Sequence, residues 1–394
     1  MPALPRLHRQ EVLILLLQFT NSLGNSALVP LMSFFIVEGL YAEPWKIGLY
    51  SGLVMSLTLI ANRWAGERLD HGFPVRSMLL ISILAYIVLT ALLTQTSSFL
   101  MLLATVAPLM GLSNVGAGTI LTFGRLSAER HGRDIVRFNS RQRVTVSLGW
   151  IIGPALSFTL VAQYGFRTAF LWALGIGLVF LALWHVAVPA GFKSAREKKT
   201  KDHGDPINWS LLVAGFICLG FVITNSLFVS AMPLFFVEET GLPGFTPGLS
   251  FSVKCLVEVP VIFASVPLAA YIGIRQVLLL AACLAIASMF LFAQVTTVWQ
   301  VMAVSALGSY YGLFVGVAIS FVQSFAPDRP GRATAVYMNS LFLGGMIGNV
   351  SMGFIASAAD FRTVLYTAAL SSVGAFAVLL ATLRVRPRSA EEAQ

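Results

Sequence analysis

The sequence predicts an all-α membrane protein: twelve transmembrane helices in two pseudo-symmetric six-helix halves. Three observations carry this. The 394 residues are 57% hydrophobic and only 11% charged, whereas a soluble domain carries roughly 25% charged residues. Apolar runs recur along the whole length, each near the ~20 residues a helix needs to cross the hydrocarbon. The chain also repeats itself about 195 residues apart. Gly149-Trp150-Ile151-Ile152-Gly153 running on to Phe166-Arg167-Thr168 is echoed by Gly344-Gly345-Met346-Ile347-Gly348 running on to Phe361-Arg362-Thr363. Looser echoes pair Asn21-Ser22-Leu23 and Pro30 with Asn225-Ser226-Leu227 and Pro233, and His131-Gly132-Arg133 with Pro330-Gly331-Arg332. In an apolar chain, paired halves are the trace of an alternating-access transporter with its substrate site where the repeats meet.

The spans follow in order. The first, 12–37, has two arginines before it, but it exceeds a signal-peptide core and lacks a small-residue cleavage site. Spans 46–65, 77–95, 99–123, 137–161 and 167–188 complete an N-terminal half, 1–190. The longest polar stretch, 191–208, reads as a cytoplasmic linker. Spans 209–236, 248–271, 274–293, 299–325, 333–357 and 362–383 make the C-terminal half, 209–394. No stretch is left over for a soluble domain.

Placing both termini inside puts all but four of the 26 basic residues in cytoplasmic segments; the exceptions are Lys46, Arg167, Arg362 and the intramembrane Lys254. That asymmetry is the positive-inside signature and sets the orientation. The net charge of +9 is its by-product, so it points to anionic inner-leaflet lipids as partners and not to nucleic acid. Cys218, Cys255 and Cys283 are too scattered for a disulfide framework or metal knuckle. Without an intramembrane His/carboxylate cluster or a G-x-S-x-G elbow, the sequence predicts no enzyme, metal or cofactor.

Polar residues inside the spans carry the functional signal, because an ionised side chain at mid-membrane costs ~2.5–3.5 kcal/mol even on the lenient insertion scale. Lys254 and Glu258 lie four residues apart in the eighth span, on one helix face. They read either as a cavity pair that binds substrate and protons or as a self-neutralising lock between helices. Desolvation opposes the charge on Glu258 and the neighbouring ammonium supports it, so Glu258 is the candidate proton-coupling residue with Lys254 tuning it. Gln18, Asn21, Ser22 and Asn25 share a face of the first span, and Asn225 and Ser226 take the matching place in the seventh. Carboxamides donate and accept, which suits a hydroxyl-rich substrate; the competing role is hydrogen bonding between helices. Asn114 and Asn339 are further candidates for substrate binding, and Tyr310 and Tyr311 for stacking on a sugar ring. Arg141 can snorkel to the interface, while Arg143, one turn's fraction deeper, is the candidate basic group of the cavity. Asp70, in the basic 2–3 loop, pairs in this reading with Arg125 as a cytoplasmic gate.

These residues resemble the major facilitator superfamily. Gly66-Glu67-Arg68-Leu69-Asp70-His71-Gly72 is similar to a degraded form of its G-x-x-x-D-R-x-G-R-R motif, with His71 in place of the arginine. Gly149-x-x-x-Gly153-Pro154 is similar to the antiporter motif G-x-x-x-G-P-x-x-G-G, with Ser157 and Phe158 where the final glycines would stand. Within that superfamily the chain resembles the bacterial sugar efflux transporters. The likeness is carried by Pro44–Tyr50, by Arg143 and Ser147–Leu156, by Val257-Glu258-Val259-Pro260, and by Phe321-Val322-Gln323 with Gly331, Ala333-Thr334, Tyr337 and Asn339. The resemblance implies proton-linked export of mono- or disaccharides and related glycosides by a monomer in the inner membrane. Lys254 departs from the family pattern, where a small uncharged residue is expected. It opens an alternative, export of a carboxylate-bearing metabolite such as a citrate-type siderophore, with Lys254 and Arg143 on the carboxylates.

Overall fold

A computed structural model describes residues 9–130, 135–189, 192, 208–326 and 329–382. The basic loop at 131–134 and linker residues 193–207 lie outside them. Every long element among the described residues is a helix. They are α1 (Arg9–Gly39), α2 (Trp45–Asp70), α3 (Val75–Leu93), α4 (99–130), α5 (Ile135–Tyr164) and α6 (Phe166–Ala187). After the linker come α7 (Trp209–Glu239), α8 (Thr246–Ile272), α9 (Ile274–Phe292), α10 (Val298–Gln323), α11 (Pro330–Ala358) and α12 (Phe361–Ala381). Eleven are long and apolar enough to cross a membrane. The other, α2, is 26 residues long with Lys46 near its start and Arg63, Glu67, Arg68 and Asp70 at its end. Helices overrun the apolar spans at such charged ends, because Arg, Glu and Ala are good helix formers and continue the ladder past the hydrocarbon.

Four helices depart from regular α geometry. Pro30 in α1 and Pro233 in α7 each remove a backbone donor, and each is followed by a π-helical turn, Phe35–Gly39 and Phe235–Glu239. α4 has a π turn at Leu102–Val106 and breaks at Asn114. α10 breaks at Gly308-Ser309, just before Tyr310. Breaks inside spanning helices free backbone groups that need a polar environment, which is why transporter sites gather around them.

By internal contacts the chain forms two compact units, Met1–Leu40 with Leu53–Thr200, and Tyr41–Gly52 with Lys201–Gln394. In the first, α1 packs on α5 and α6, and α3 on α6. In the second, α7 packs on α11 and α12, α8 on α10, and α9 on α12. The opening turns of α2 count with the second unit through α11: a Cβ on Gly48 would stand 2.7 Å from the Val350 carbonyl.

The repeated glycines are where the helices touch. A Cβ on Gly149 of α5 would meet Ser22 Oγ of α1 at 2.6 Å, and one on Gly153 would collide with Ser26 Oγ. Ser22 donates to the Val146 carbonyl at 2.8 Å and Ser26 to the Gly149 carbonyl at 2.7 Å. Small residues allow this approach and serine hydroxyls then bridge the helices. In the second unit Gly344 meets Val222, Gly348 meets Ser226, and Ser230 donates to Asn349 Oδ1 at 2.5 Å. Gly149 therefore matches Gly344 while Ser22 matches Val222 and Ser26 matches Ser226. The π turns, Phe35–Gly39 and Phe235–Glu239, agree with that register. It pairs Asn25, not Asn21, with Asn225. The sequence echo slipped by one turn because a four-residue shift keeps polar residues on the same helix face.

Candidate functional site

In the second unit the chemistry centres on α8. Lys254 Nζ lies 2.9 Å from Glu258 Oε2, with side chains 6% and 16% exposed. Helix spacing creates the pair, since residues four apart stack on one face. α10 covers it: Gly312 comes against the Glu258 backbone and Cγ, where a Cβ would stand 2.9 and 3.0 Å away. The Lys254 ammonium lies 5.3 Å from the centre of the Tyr311 ring, within cation–π range. Tyr310 packs edge-on against Tyr311 and is fully buried, its hydroxyl without a hydrogen-bond partner among the described residues. The lysine charge is thus met by a carboxylate and an aromatic face together.

Asn225 of α7 is half-buried, and its Oδ1 is buried without a partner among the described residues. Asn339 of α11 is exposed. In the first unit Gln18 and Asn21 are buried on α1, with Gln18 Oε1 lacking a partner among the described residues and Asn21 Oδ1 lying 3.0 Å from where a Cβ on Gly116 of α4 would sit. Asn25 is half-buried. Ser22 of the same polar face is taken up by the α5 backbone. Asn114 donates to Thr58 Oγ1 at 3.0 Å, tying the α4 break to α2. Arg143 is exposed on α5. Arg125 is exposed near the end of α4; the side chain of Asp70 lies outside the described residues, so its pairing with Arg125 stays a proposal.

Sequence reasoning missed three arrangements. Arg141 does not stand alone at the interface: it lies 3.6 Å from Glu11 of α1. The signal was an acidic residue in the first turn of a spanning helix. Glu239, at the end of α7's π turn, accepts from the backbone N–H groups of Phe361 and Arg362 and so covers the start of α12. The third is a line of hydroxyls on α8 above Lys254. Thr246 and Ser250 are fully buried, and Ser250 Oγ lies 2.7 Å from Ser305 Oγ of α10. Its signal was in plain sight, as Thr246, Ser250, Lys254 and Glu258 recur every four residues.

Comparison with known proteins places this geometry. The sequence model of the Major Facilitator Superfamily matches residues 14–348 and 214–394. Sugar efflux transporter A of Escherichia coli K12 is 25% identical over 366 residues, covering 91% of this chain and 92% of its own. Sugar efflux transporter B of Salmonella typhimurium LT2 is 23% identical, with 90% and 91% covered. Among solved structures, the nucleoside transporter NupG superposes with a TM-score of 0.79 at 14% identity, covering 96% of this chain and 100% of that one. A bacterial homologue of the lysosomal transporter Spinster superposes at 0.72 and 13%, with 95% and 96% covered. At those identities the structures speak for the fold alone.

Proposed function

The chain belongs to the Major Facilitator Superfamily, and we propose that within it the chain is a proton-coupled secondary transporter. In this reading it exports small sugars or glycosides across the bacterial inner membrane by alternating access, as a monomer with both termini in the cytoplasm. The observation that carries the choice of a neutral substrate is the closed Lys254–Glu258 pair. Its ammonium is already held at 2.9 Å by a carboxylate and faces an aromatic ring, so it is not an open anchor for a substrate carboxylate. The likeness to sugar efflux transporters over some nine-tenths of the chain supports the same class.

The cycle follows from which charges tolerate which surroundings. With the pair intact the site is neutral and takes a hydroxyl-rich solute through the carboxamides of Gln18, Asn21, Asn25, Asn114, Asn225 and Asn339. Outside, Glu258 takes a proton, the pair opens, and the solute leaves. The protonated carrier returns, releases the proton inside, and the pair closes again. Each step is a shift between inward- and outward-open populations, biased by proton and solute. Asp70 and Arg125 close the cytoplasmic side in the outward-open state, and Arg143 supplies a basic edge to the cavity.

Inverted membrane vesicles test this. With their lumen acidified, they should accumulate a labelled neutral disaccharide, and a protonophore should abolish the accumulation. Accumulation of citrate instead, lost on Lys254→Ala, would hand the protein to the carboxylate alternative. Glu258→Gln should keep exchange down a gradient and lose uphill transport; full uphill transport by this variant removes Glu258 from the coupling role.

A further inference from the structure

α8 turns the usual rule of burial inside out. Few of its residues are fully buried, and most of those are polar: Thr246, Ser250, Lys254 and Ser265, with only Pro247, Gly248 and Phe251 apolar among the rest. Thr246, Ser250, Lys254 and Glu258 form one i, i+4 ridge facing α10. At 1.5 Å per residue the ridge runs about 18 Å from the N-terminal end of α8 to Glu258, a little over half the hydrocarbon thickness. α10 adds to it: Ser305 Oγ lies 2.7 Å from Ser250 Oγ and donates to the Val301 carbonyl at 2.6 Å, and Tyr310 packs edge-on against Tyr311, whose ring faces the Lys254 ammonium. Buried hydroxyls cost free energy unless they are partnered. Thr246 Oγ1 and Tyr310 Oη have no partner among the described residues, so this is a poor arrangement for stability and a suitable one for passing protons.

We propose that this ridge is the route by which protons reach Glu258 from the outer face: Thr246 to Ser250 and Ser305, then Lys254, then Glu258. The inference rests on the reading of Glu258 as the proton-coupling carboxylate. Successive steps are about 6 Å apart along the helix, so a bridging water is needed between hydroxyls. The unpartnered Thr246 and Tyr310 hydroxyls supply the polar contacts that would hold such waters. The final step balances. Lys254 gives the proton on the bond facing Glu258 Oε2 to that carboxylate, and takes a replacement from the Ser250 side. The pair changes from neutral to one net positive charge, with one proton gained from outside. The titratable groups that interact electrostatically with Glu258 are Lys254 and Cys255 on α8 and Tyr310 and Tyr311 on α10; Tyr337 of α11 and Cys218 of α7 interact with Tyr311. Only the lysine among them carries a charge that a proton step can exchange at neutral pH.

The experiment needs no substrate. Purified protein in proteoliposomes is subjected to a rapid drop in external pH, and protonation of Glu258 is followed by its carboxylic C=O stretch in time-resolved infrared difference spectra, assigned by its loss in Glu258→Gln. S250A and T246V should slow the rise on the order of tenfold, about 1.4 kcal/mol of barrier, while its final amplitude stays at the wild-type value. S250T, which keeps the hydroxyl, should restore the rate. Wild-type kinetics in S250A and T246V overturn the route while leaving the coupling role of Glu258 intact. Absence of any band in the wild-type protein that Glu258→Gln removes overturns the coupling role itself, and the route with it.

Discussion

Replacing Lys254 by Met keeps most of the side-chain volume and removes the charge, leaving Glu258 facing α10 with no counter-ion. Breaking a buried ion pair costs ~3–5 kcal/mol, and a lone charge at mid-membrane costs ~2.5–3.5 kcal/mol on the insertion scale. The Glu258 side chain keeps 16% of its exposure, so the lower end of the first range applies. The two figures then meet at about 3 kcal/mol. Glu258→Leu strands the ammonium and should cost a similar amount, relieved in part by the Tyr311 ring. Replacing both partners removes both charges together, and such swaps are commonly close to neutral. The double variant K254M/E258L should therefore lie within about 1 kcal/mol of the wild type.

Equilibrium unfolding by sodium dodecyl sulfate in mixed micelles, followed by tryptophan fluorescence, measures all four corners of the cycle. The expected departure from additivity is at least about 3 kcal/mol, the top of the range for residues in contact. The double variant should stay folded yet lose transport driven by a pH gradient. Losses that simply add would mean that each charge is separately solvated, and the argument for a closed, neutral site would fail with them.

Further outcomes follow from other contacts. Gly153→Val drives two methyl groups into Ser26 of α1 and should cost at least 1–3 kcal/mol, read as a lower melting temperature, whereas Gly175→Val, at a site with open space around it, should not. If Asn25 and Asn225 are equivalent in the repeat, Asn25→Ala and Asn225→Ala should weaken apparent solute affinity alike with folded yield unchanged; Asn21→Ala, on a residue packed against Gly116, should do so with some loss of yield. Loss of folded protein in step with activity at Asn225 would make that residue helix glue. Asp70→Asn should slow transport and raise cysteine labelling of the cavity from the cytoplasmic side, and unchanged labelling refutes the gate. Asp360, between α11 and α12, accepts from the Thr363 N–H at 2.7 Å, and hydrogen bonding to Thr363 holds its carboxyl below the ordinary value of 3.8. A depressed carboxylate contributes stability that is present above its unfolded value and lost as pH falls through the native one. Asp360→Ala should thus cost under about 1 kcal/mol at neutral pH and nothing at pH well below that value.

The fold was legible because hydrophobic length is a direct physical requirement of the bilayer, and it is written residue by residue along the chain. The twelve spans needed no knowledge of how they pack. What periodicity could not supply was the ending of each helix, because α2 runs on to Asp70 and α4 to Arg130 through charged residues that a hydropathy reading leaves out. The Lys254–Glu258 pair was equally legible, since four-residue spacing is a local property of a helix. The partners of that pair were not. Tyr311 lies more than fifty positions away along the chain, and only the seating of α10 on α8 brings its ring to the ammonium. Ser22 illustrates the same limit from the other side. Its position on a polar face suggested cavity lining, but its hydroxyl is spent on the Val146 carbonyl.

The repeat itself shows how function and packing share one pattern. Gly149 and Gly153 in α5, and Gly344 and Gly348 in α11, are equivalent because each pair lets a spanning helix approach the first helix of its own unit. That role is structural and twofold. Departures from the twofold pattern are where the two units differ in chemistry. Asn114 marks the break in α4 and is bonded to Thr58, whereas α10 breaks at Gly308-Ser309 beside a buried tyrosine and an ion pair. Gly39 ends one π turn and makes room for Phe35, whereas Glu239 ends the other and holds the start of α12. The repeat places glycines at helix contacts and a π turn in the first helix of both units. Both units add little-exposed charge to them, Glu11 with Arg141 in the first and Lys254 with Glu258 in the second, and buried charge in a membrane persists only where it is partnered or used. In α8 the charges are partnered with each other, Lys254 on Glu258, and the Thr246 and Tyr310 hydroxyls without a partner among the described residues are why we propose this pair as the place where a proton is taken up.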